Sequence, residues 1–177
     1  SVYMLKAALY GMGRWGNRLA ESVQNSSKIR IVKGVSRDPA RHAEFSGKYG
    51  IPVISSYEEV LADPQIDAVV LATPHSKHHE QVIAAAKAGK HVFVEKPFTL
   101  TRATAEPAIA ACRAAGVTLS VGFNRRHAPA FVEMLRRIRA GEIGDVLHVE
   151  GQFSGASGSS TANSRSRSPR TASRSHA

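Results

Sequence analysis

The sequence predicts an α/β fold, a parallel sheet wound on both faces by helices. Three observations predict it. Short apolar runs alternate with amphipathic runs from residue 3 to about residue 140. The apolar runs are mostly continuous rather than alternating, as strands buried on both faces require. The first of them ends in Gly11-Met12-Gly13-Arg14-Trp15-Gly16 and passes straight into an amphipathic run. That G-x-G-x-x-G spacing marks a tight turn between a strand and a helix. Short connections between alternating strands and helices mean right-handed crossovers and a doubly wound sheet of Rossmann type.

The elements follow in order. Tyr3 to Leu9 reads as the first strand. Arg14 to Asn25 is a helix with Trp15, Leu19 and Val23 on one face. Ile29 to Val35 is the second strand. Asp38 is a natural helix N-cap and Pro39 suits the first helical position. That helix runs to Tyr49 and stops at Gly50. Val53-Ile54 is a short strand. Ser56 and Glu59 have capping-box spacing and open a brief helix. Ala68 to Ala72 is a buried strand, Lys77 to Ala88 a helix closed by Gly89 and Lys90, and His91 to Val94 a strand. Thr101 to Ala115 is helical up to Gly116, with Pro107 expected to kink it or delay its start. Val117 to Val121 is the sixth strand. Pro129 to Ala140 is a helix with Phe131, Leu135 and Ile138 on its apolar side. Asp145 to Phe153 alternates with a period of two, which predicts a half-buried strand.

Composition narrows the function classes. A chain of 177 residues, 42% hydrophobic, can bury one domain and a little more. It has no apolar run long enough to span a membrane. The first apolar run is too short for a secretory signal. The single cysteine, Cys112, forbids an internal disulfide and reads as a core residue in an Ala-rich helix. A cytoplasmic location is expected. Net charge is +10, and the tail 154–177 holds four arginines and no acid. The basic balance suits a phosphate-bearing ligand. A nucleic-acid role would rest on the tail, and no aromatic-rich recognition motif supports it. His75, His78 and His79 cluster, but no cysteine is near and the only local acid is Glu80, so no metal site is expected.

The motif carries chemistry residue by residue. Gly11 lets the chain turn off the strand, Gly13 lets a pyrophosphate approach the backbone, and Gly16 lets helix and strand pack closely. Arg14 and Trp15 lie within the same turn. Free N–H groups and the positive helix end then face the phosphates. Ligands of such sheets bind where strands end, and Gly11, Ser36, Thr73 and Lys96 each follow a strand. An NAD site usually has Asp or Glu after the second strand; here stand Ser36 and Arg37. Arg37 can pair with a 2′-phosphate, so NADP is the expected cofactor and NAD the alternative. Hydride leaves a carbinol carbon only as the hydroxyl proton departs, and the protein must handle that proton. Lys96 can do so if burial or a nearby positive charge lowers its pKa from about 10.4.

Four motifs together resemble the Gfo/Idh/MocA (glucose–fructose oxidoreductase / inositol dehydrogenase) family of NAD(P)-dependent oxidoreductases. They are G-M-G-R-W-G, A-T-P-H-S-K-H-H, A-G-K-H-V-F-V-E-K-P and V-G-F-N-R-R-H-A-P-A-F, and the resemblance covers residues 3 to about 153. It implies hydride transfer between a nicotinamide cofactor and a sugar, polyol or derivative. It implies that Thr73-Pro74 lies against pyrophosphate and ribose, and that Glu95-Lys96-Pro97 lies beside the nicotinamide with Lys96 catalytic. His78 matches the family's histidine on the following helix. Asn124 and Arg126 match the motif that joins the cofactor domain to the substrate domain. The family usually has Asn where His75 stands.

The family continues into a second α/β domain that carries the substrate floor and a catalytic histidine. Family members are typically homo-oligomers. Here the expected organisation is a cofactor domain over 1–122, the start of a substrate domain over 123–153, and a disordered Ser/Arg-rich tail over 154–177. The tail has no Leu, Ile, Val or aromatic residue and cannot build a core. It reads as a frameshifted or truncated product, as an artefact of gene assignment, or as a genuine basic segment. The chain is therefore expected to bind cofactor but to be catalytically crippled. A non-catalytic dinucleotide-binding remnant or regulator is the alternative, and RNA binding through the tail is a further one. The unpaired edge of the strand at 145–153 is expected to drive self-association.

Overall fold

Residues 3–151 are described by the structure, a computed structural model. The chain divides into two units, Ser1–Val132 and Glu133–Ala177. The first unit is built on one parallel sheet of six strands in the order β3-β2-β1-β4-β5-β6. These are β1 (Leu5–Tyr10), β2 (Ile29–Val35), β3 (Val53–Ile54), β4 (Ala68–Leu71), β5 (His91–Val94) and β6 (Leu119–Val121). The helices are α1 (Arg14–Ser22), α2 (Ala43–Tyr49), α3 (Tyr57–Ala62), α4 (His78–Lys87), α5 (Arg102–Ala114) and α6 (Pro129–Arg139), the last of which crosses the boundary between the units. Winding proceeds outward from β1 through β2 and β3, then returns to β4 on its other side. The switch point therefore lies between the carboxyl ends of β1 and β4, where such sheets open a crevice.

Period-two strand geometry explains the continuous apolar runs. Ala7 and Leu9 of β1 join Ile31, Phe45, Ile51 and Val70 on one face. Ala8 joins Val35, Val60, Val69, Leu71, Val82 and Val94 on the other. Successive side chains thus feed two cores, and the central positions of the strand, Ala7 to Leu9, are all apolar. Cys112 belongs to the second core, where burial pushes its thiol pKa up and leaves it inert.

Several local expectations hold in detail. The Ser56 hydroxyl accepts the Glu59 N–H at 3.1 Å, so α3 is capped as its spacing predicts. Ser56→Ala should cost about 1 kcal/mol, read as a lowered urea midpoint at unchanged slope. Thr101 caps α5 in the same way through the Thr104 N–H. The helix starts at Arg102 and runs through Pro107, without the delayed start expected of that proline. Pro107 removes the donor for the carbonyl of exposed Ala103, which water can serve instead.

Others are corrected. The Asp38 side chain makes no cap. Its N–H instead meets the Ser36 hydroxyl at 3.3 Å, a tight 3-10 turn occupies Pro39–His42, and the α-helix begins only at Ala43. The apolar side of α6 is present, but Phe131 and Leu135 are exposed. Residues 145–151 are not a strand, and Leu147 is 94% exposed. Alternation prepares a segment for a sheet, yet its N–H and C=O groups need a neighbouring strand, and none among the described residues pairs with it. Residues 152 and 153, and the tail over 154–177 expected to be disordered, lie outside the described residues. Backbone bonds tie the 3-10 turn Asn124–His127 back to Phe123 and so to β6. In the second unit Arg136 reaches Glu133 and Glu142, each at 2.9 Å, and Arg136 and Arg137 hold the Glu133 carboxyl below its ordinary pKa.

The amino ends of the strands carry structural charges. Lys90 is buried and donates to the carbonyls of Asp63 at 2.7 Å and Ile66 at 2.8 Å. The Gln65 N–H, then the Lys33 ammonium at 3.0 Å, hold the Asp63 carboxyl below its usual value. Burial pushes Asp67 up, but the Lys6 N–H, the Tyr3 hydroxyl and the charges of Lys6 and Lys90 together bring it below the usual value as well. A carboxyl lowered in the folded state binds fewer protons there than in the unfolded chain. Its stabilisation is complete above the unfolded value near 3.8 and is lost as pH falls through the lower folded value. Asp67→Asn should therefore be less stable than the parent at neutral pH, with the gap closing in urea titrations below about pH 4.

Candidate functional site

Four loops at the carboxyl ends of β1, β2, β4 and β5 build the site. Gly11 follows β1 with φ +97°, a conformation open to glycine. A Cβ there would collide with the Ala72 carbonyl oxygen and stand 2.9 Å from the Thr73 nitrogen. The β1 and β4 turns therefore touch backbone to backbone. A Cβ on Gly16 would strike the Gly11 carbonyl oxygen, so α1 lies directly on the strand end. Gly13 differs from both: it is exposed, and a Cβ there would meet no protein atom within 4 Å. Gly13 is also the N-cap of α1 and offers no side-chain acceptor. The Asn17 amide donates to the carbonyls of Met12 at 2.9 Å and Gly13 at 3.1 Å. Those acceptors being taken, the turn presents N–H groups to its open side.

That open side is a groove of about 690 Å³ lined by Gly11, Gly13, Ser36, Arg37, Thr73, Pro74 and Lys77, among others. A recess of about 620 Å³ adjoins it at Ser36, Arg37 and His42 and adds Asp38, Arg41 and Lys48. Arg37 and Arg41 make no ion pair among the described residues, while Lys48 faces Glu21 at 3.9 Å and lies over the Tyr49 ring. A second recess of about 290 Å³ adjoins the groove at Ala72 and Thr73 and holds Arg14, Trp15, His75, Glu95 and Lys96. Ten of the expected residues line the groove or this second recess, and Gly16 lies behind the turn.

Glu95 and Lys96 part company at the end of β5. The Glu95 carboxylate is buried against Gly122, where a Cβ would sit 2.8 Å from Oε1. It accepts the main-chain N–H of Lys96 at 3.2 Å, not the ammonium. Lys96 is exposed and forms no ion pair among the described residues.

Three expected site residues, His78, Asn124 and Arg126, line neither the groove nor the Lys96 recess. His78 is wholly buried, with ring nitrogens 2.9 Å from the Pro97 carbonyl and 3.0 Å from the Thr73 carbonyl. It has no surface to offer a ligand. Arg126 lies over the Phe123 ring at 5.1 Å and lines neither groove nor recess. Asn124 lines a separate pocket of about 360 Å³, which meets the Lys96 recess only through Trp15 and Glu95. Arg41, Lys48 and Asn17 went unnoticed in the sequence. Their signal was spacing, since Arg37, Arg41 and Lys48 recur at helical intervals around a turn already suspected of binding anions.

The residues fit a dinucleotide. Among the described residues, the Trp15 indole Nε1 is the one buried side-chain polar atom without a hydrogen-bond partner. A buried donor left so costs about 1–3 kcal/mol unless a ligand supplies an acceptor. Open space at Gly13, unpaired arginines at one end and this indole at the other match phosphates flanked by two polar groups. The described residues hold no cluster of three metal-ligating side chains. None of their helices is long and apolar enough to cross a membrane.

Comparison with known proteins gives concordant findings. A family model described as "Oxidoreductase family, NAD-binding Rossmann fold" matches residues 5–123. The chain is 36% identical over 156 residues to a scyllo-inositol 2-dehydrogenase (NAD(+)) of Bacillus subtilis, covering 84% of the chain and 44% of that protein. It is 34% identical over 133 residues to a D-xylose 1-dehydrogenase (NADP(+)) of Hypocrea jecorina, covering 71% of the chain and 34% of that protein. The crystal structure of scyllo-inositol dehydrogenase from Lactobacillus casei with NAD(H) and scyllo-inositol superposes with a TM-score of 0.75 at 26% identity, over 81% of the chain and 43% of its own. The chain thus spans less than half the length of each of these relatives.

Proposed function

The chain belongs to the Gfo/Idh/MocA oxidoreductase family, and on that footing we propose that it binds a nicotinamide dinucleotide, NADP before NAD, across the ends of β1, β2, β4 and β5. The observation that carries the proposal is the groove at Gly13, continuous with an arginine recess at one end and the Lys96 recess at the other. The N–H groups of the first turn of α1 hold the diphosphate. Ser36, Arg37 and Arg41 hold the adenosine 2′-phosphate. Thr73 and Pro74 bound the middle of the ligand, and the Trp15 indole donates to it. Bound nicotinamide supplies the hydride acceptor or donor. Lys96 stands where the hydroxyl proton of a sugar, polyol or derivative would be held, and the Glu95 carboxylate fixes the Lys96 main chain.

Trp15 is the only tryptophan, so its fluorescence reports on the site. Titration with NADPH should quench it saturably, with energy transfer to the reduced ring. Silence at about millimolar ligand from a folded sample overturns the proposal. Equal or tighter binding of NADH overturns the NADP preference alone.

We propose further that the 177 residues bind cofactor but turn over little substrate. The support is coverage: more than half of the relative that acts on scyllo-inositol has no counterpart in this chain. Substrate-saturable oxidation of scyllo-inositol at an ordinary enzymatic rate would overturn this. A cytoplasmic location, and self-association through exposed Leu147 and Val149 rather than through a strand edge, complete the reading. A concentration-independent monomer in sedimentation would remove the second. Deleting residues 154–177 should leave NADPH affinity unchanged, and any RNA affinity should vanish with the tail.

A further inference from the structure

We propose that His78 is the positioning residue that holds the β4 and β5 turns at a fixed separation, and so sets where Lys96 stands relative to the dinucleotide groove. The inference rests on the dinucleotide reading above and deepens it. His78 opens α4 and is 0% exposed. Its Nε2 faces the carbonyl of Thr73, in the turn after β4, at 3.0 Å. Its Nδ1 faces the carbonyl of Pro97, the residue after Lys96, at 2.9 Å. One ring therefore spans from the wall of the groove to the backbone beside Lys96. Both partners are acceptors, so a proton on each nitrogen satisfies both at once, and a single proton satisfies one at a time.

The neighbours serve the same end. Gln81, three residues on and on the same face of α4, accepts the Thr73 hydroxyl at 2.5 Å. The Tyr57 hydroxyl donates to the Gln81 carbonyl at 3.1 Å and ties that turn of α4 to α3. Thr73 is thus held at its carbonyl by His78 and at its side chain by Gln81. On the Lys96 side the Glu95 carboxylate holds the Lys96 N–H, and His78 holds the carbonyl one residue further on. The exposed His75 ring, which lines the Lys96 recess, stands edge-on to the His78 ring with centroids 5.7 Å apart. Nothing else among the hydrogen bonds of the described residues joins the 73–74 turn to the 96–97 turn through one side chain.

A residue that only stabilised the fold would, when changed, weaken every ligand of the sheet alike. A residue that sets the spacing of the β4 and β5 turns acts on the nicotinamide half alone. The test is therefore a pair of ligands on the full chain: NADPH, and 2′,5′-ADP, which reaches only the adenosine end. His78→Leu should fold with a lower melting temperature, bind NADPH about tenfold more weakly, and keep its 2′,5′-ADP affinity within about twofold. His78→Gln keeps one donor and should recover part of the NADPH affinity. If His78→Leu fails to fold, His78→Gln carries the test, its loss again confined to NADPH. Unchanged NADPH binding, or equal loss for both ligands, overturns the inference while leaving the dinucleotide reading intact. A parent chain that binds neither ligand overturns both.

Discussion

Gly11→Ala should destabilise the fold by about 4 kcal/mol, whereas Gly13→Ser, two residues on, should leave stability unchanged and abolish tight dinucleotide binding. The two glycines serve different partners. At Gly11 the backbone has φ +97° and a methyl group would collide with the Ala72 carbonyl oxygen. Holding an L-residue there costs about 1–3 kcal/mol, and forcing two packed backbones apart about as much again. Against a typical domain stability of about 5–15 kcal/mol that is a large share. Gly13 has φ −70° and ψ −169°, which any residue adopts, and its Cβ would find open space. Serine is a better N-cap than glycine, so α1 should gain a few tenths of a kcal/mol, roughly. The added side chain nevertheless enters the groove where the diphosphate would approach. NADPH affinity should fall about thirtyfold or more. Thermal melts and Trp15 fluorescence titrations on the same samples check both halves. A Gly13→Ser chain that is stable and binds NADPH like the parent would remove the diphosphate from this turn.

Arg37→Ala should weaken NADPH binding by about ten- to a hundredfold and leave NADH within about twofold. The guanidinium stands at the recess beside Ser36, exposed and without an ion pair among the described residues. A charged hydrogen bond to phosphate contributes about 1.5–3 kcal/mol, reduced by salt because the site is open. Arg41→Ala should act in the same direction, and the two losses should not add, since both face one recess. Ser36→Asp should go further and favour NADH, because a carboxylate holds ribose hydroxyls and repels a 2′-phosphate. Calorimetry with both cofactors at two salt concentrations decides it. Equal weakening of NADPH and NADH by Arg37→Ala would place the 2′-phosphate elsewhere.

Much of this site was legible because its chemistry is local. The three glycines act within one turn, so their roles could be assigned from spacing, and the geometry shows the close packing at Gly11 and Gly16 and open space at Gly13. Ser36, Thr73 and Lys96 were legible because each follows a strand, and a strand buried on both faces leaves an unbroken apolar run. Local caps such as Ser56 were legible for the same reason.

By itself the sequence determined the order of strands and helices, the glycine turn, and the Ser36-Arg37 pair directly after β2. All of these depend on neighbours a few residues apart. Tertiary structure decided the rest. Alternation from residue 145 onward prepared a strand, but a strand exists only where another chain segment takes its hydrogen bonds. His78 looked like a ligand-binding residue until its ring was seen between carbonyls five and nineteen residues away. Arg41 became a site residue only when a 3-10 turn set it into the recess of Arg37. In each case the deciding partner lay on another element or in another turn, and only packing determines which groups a side chain meets there.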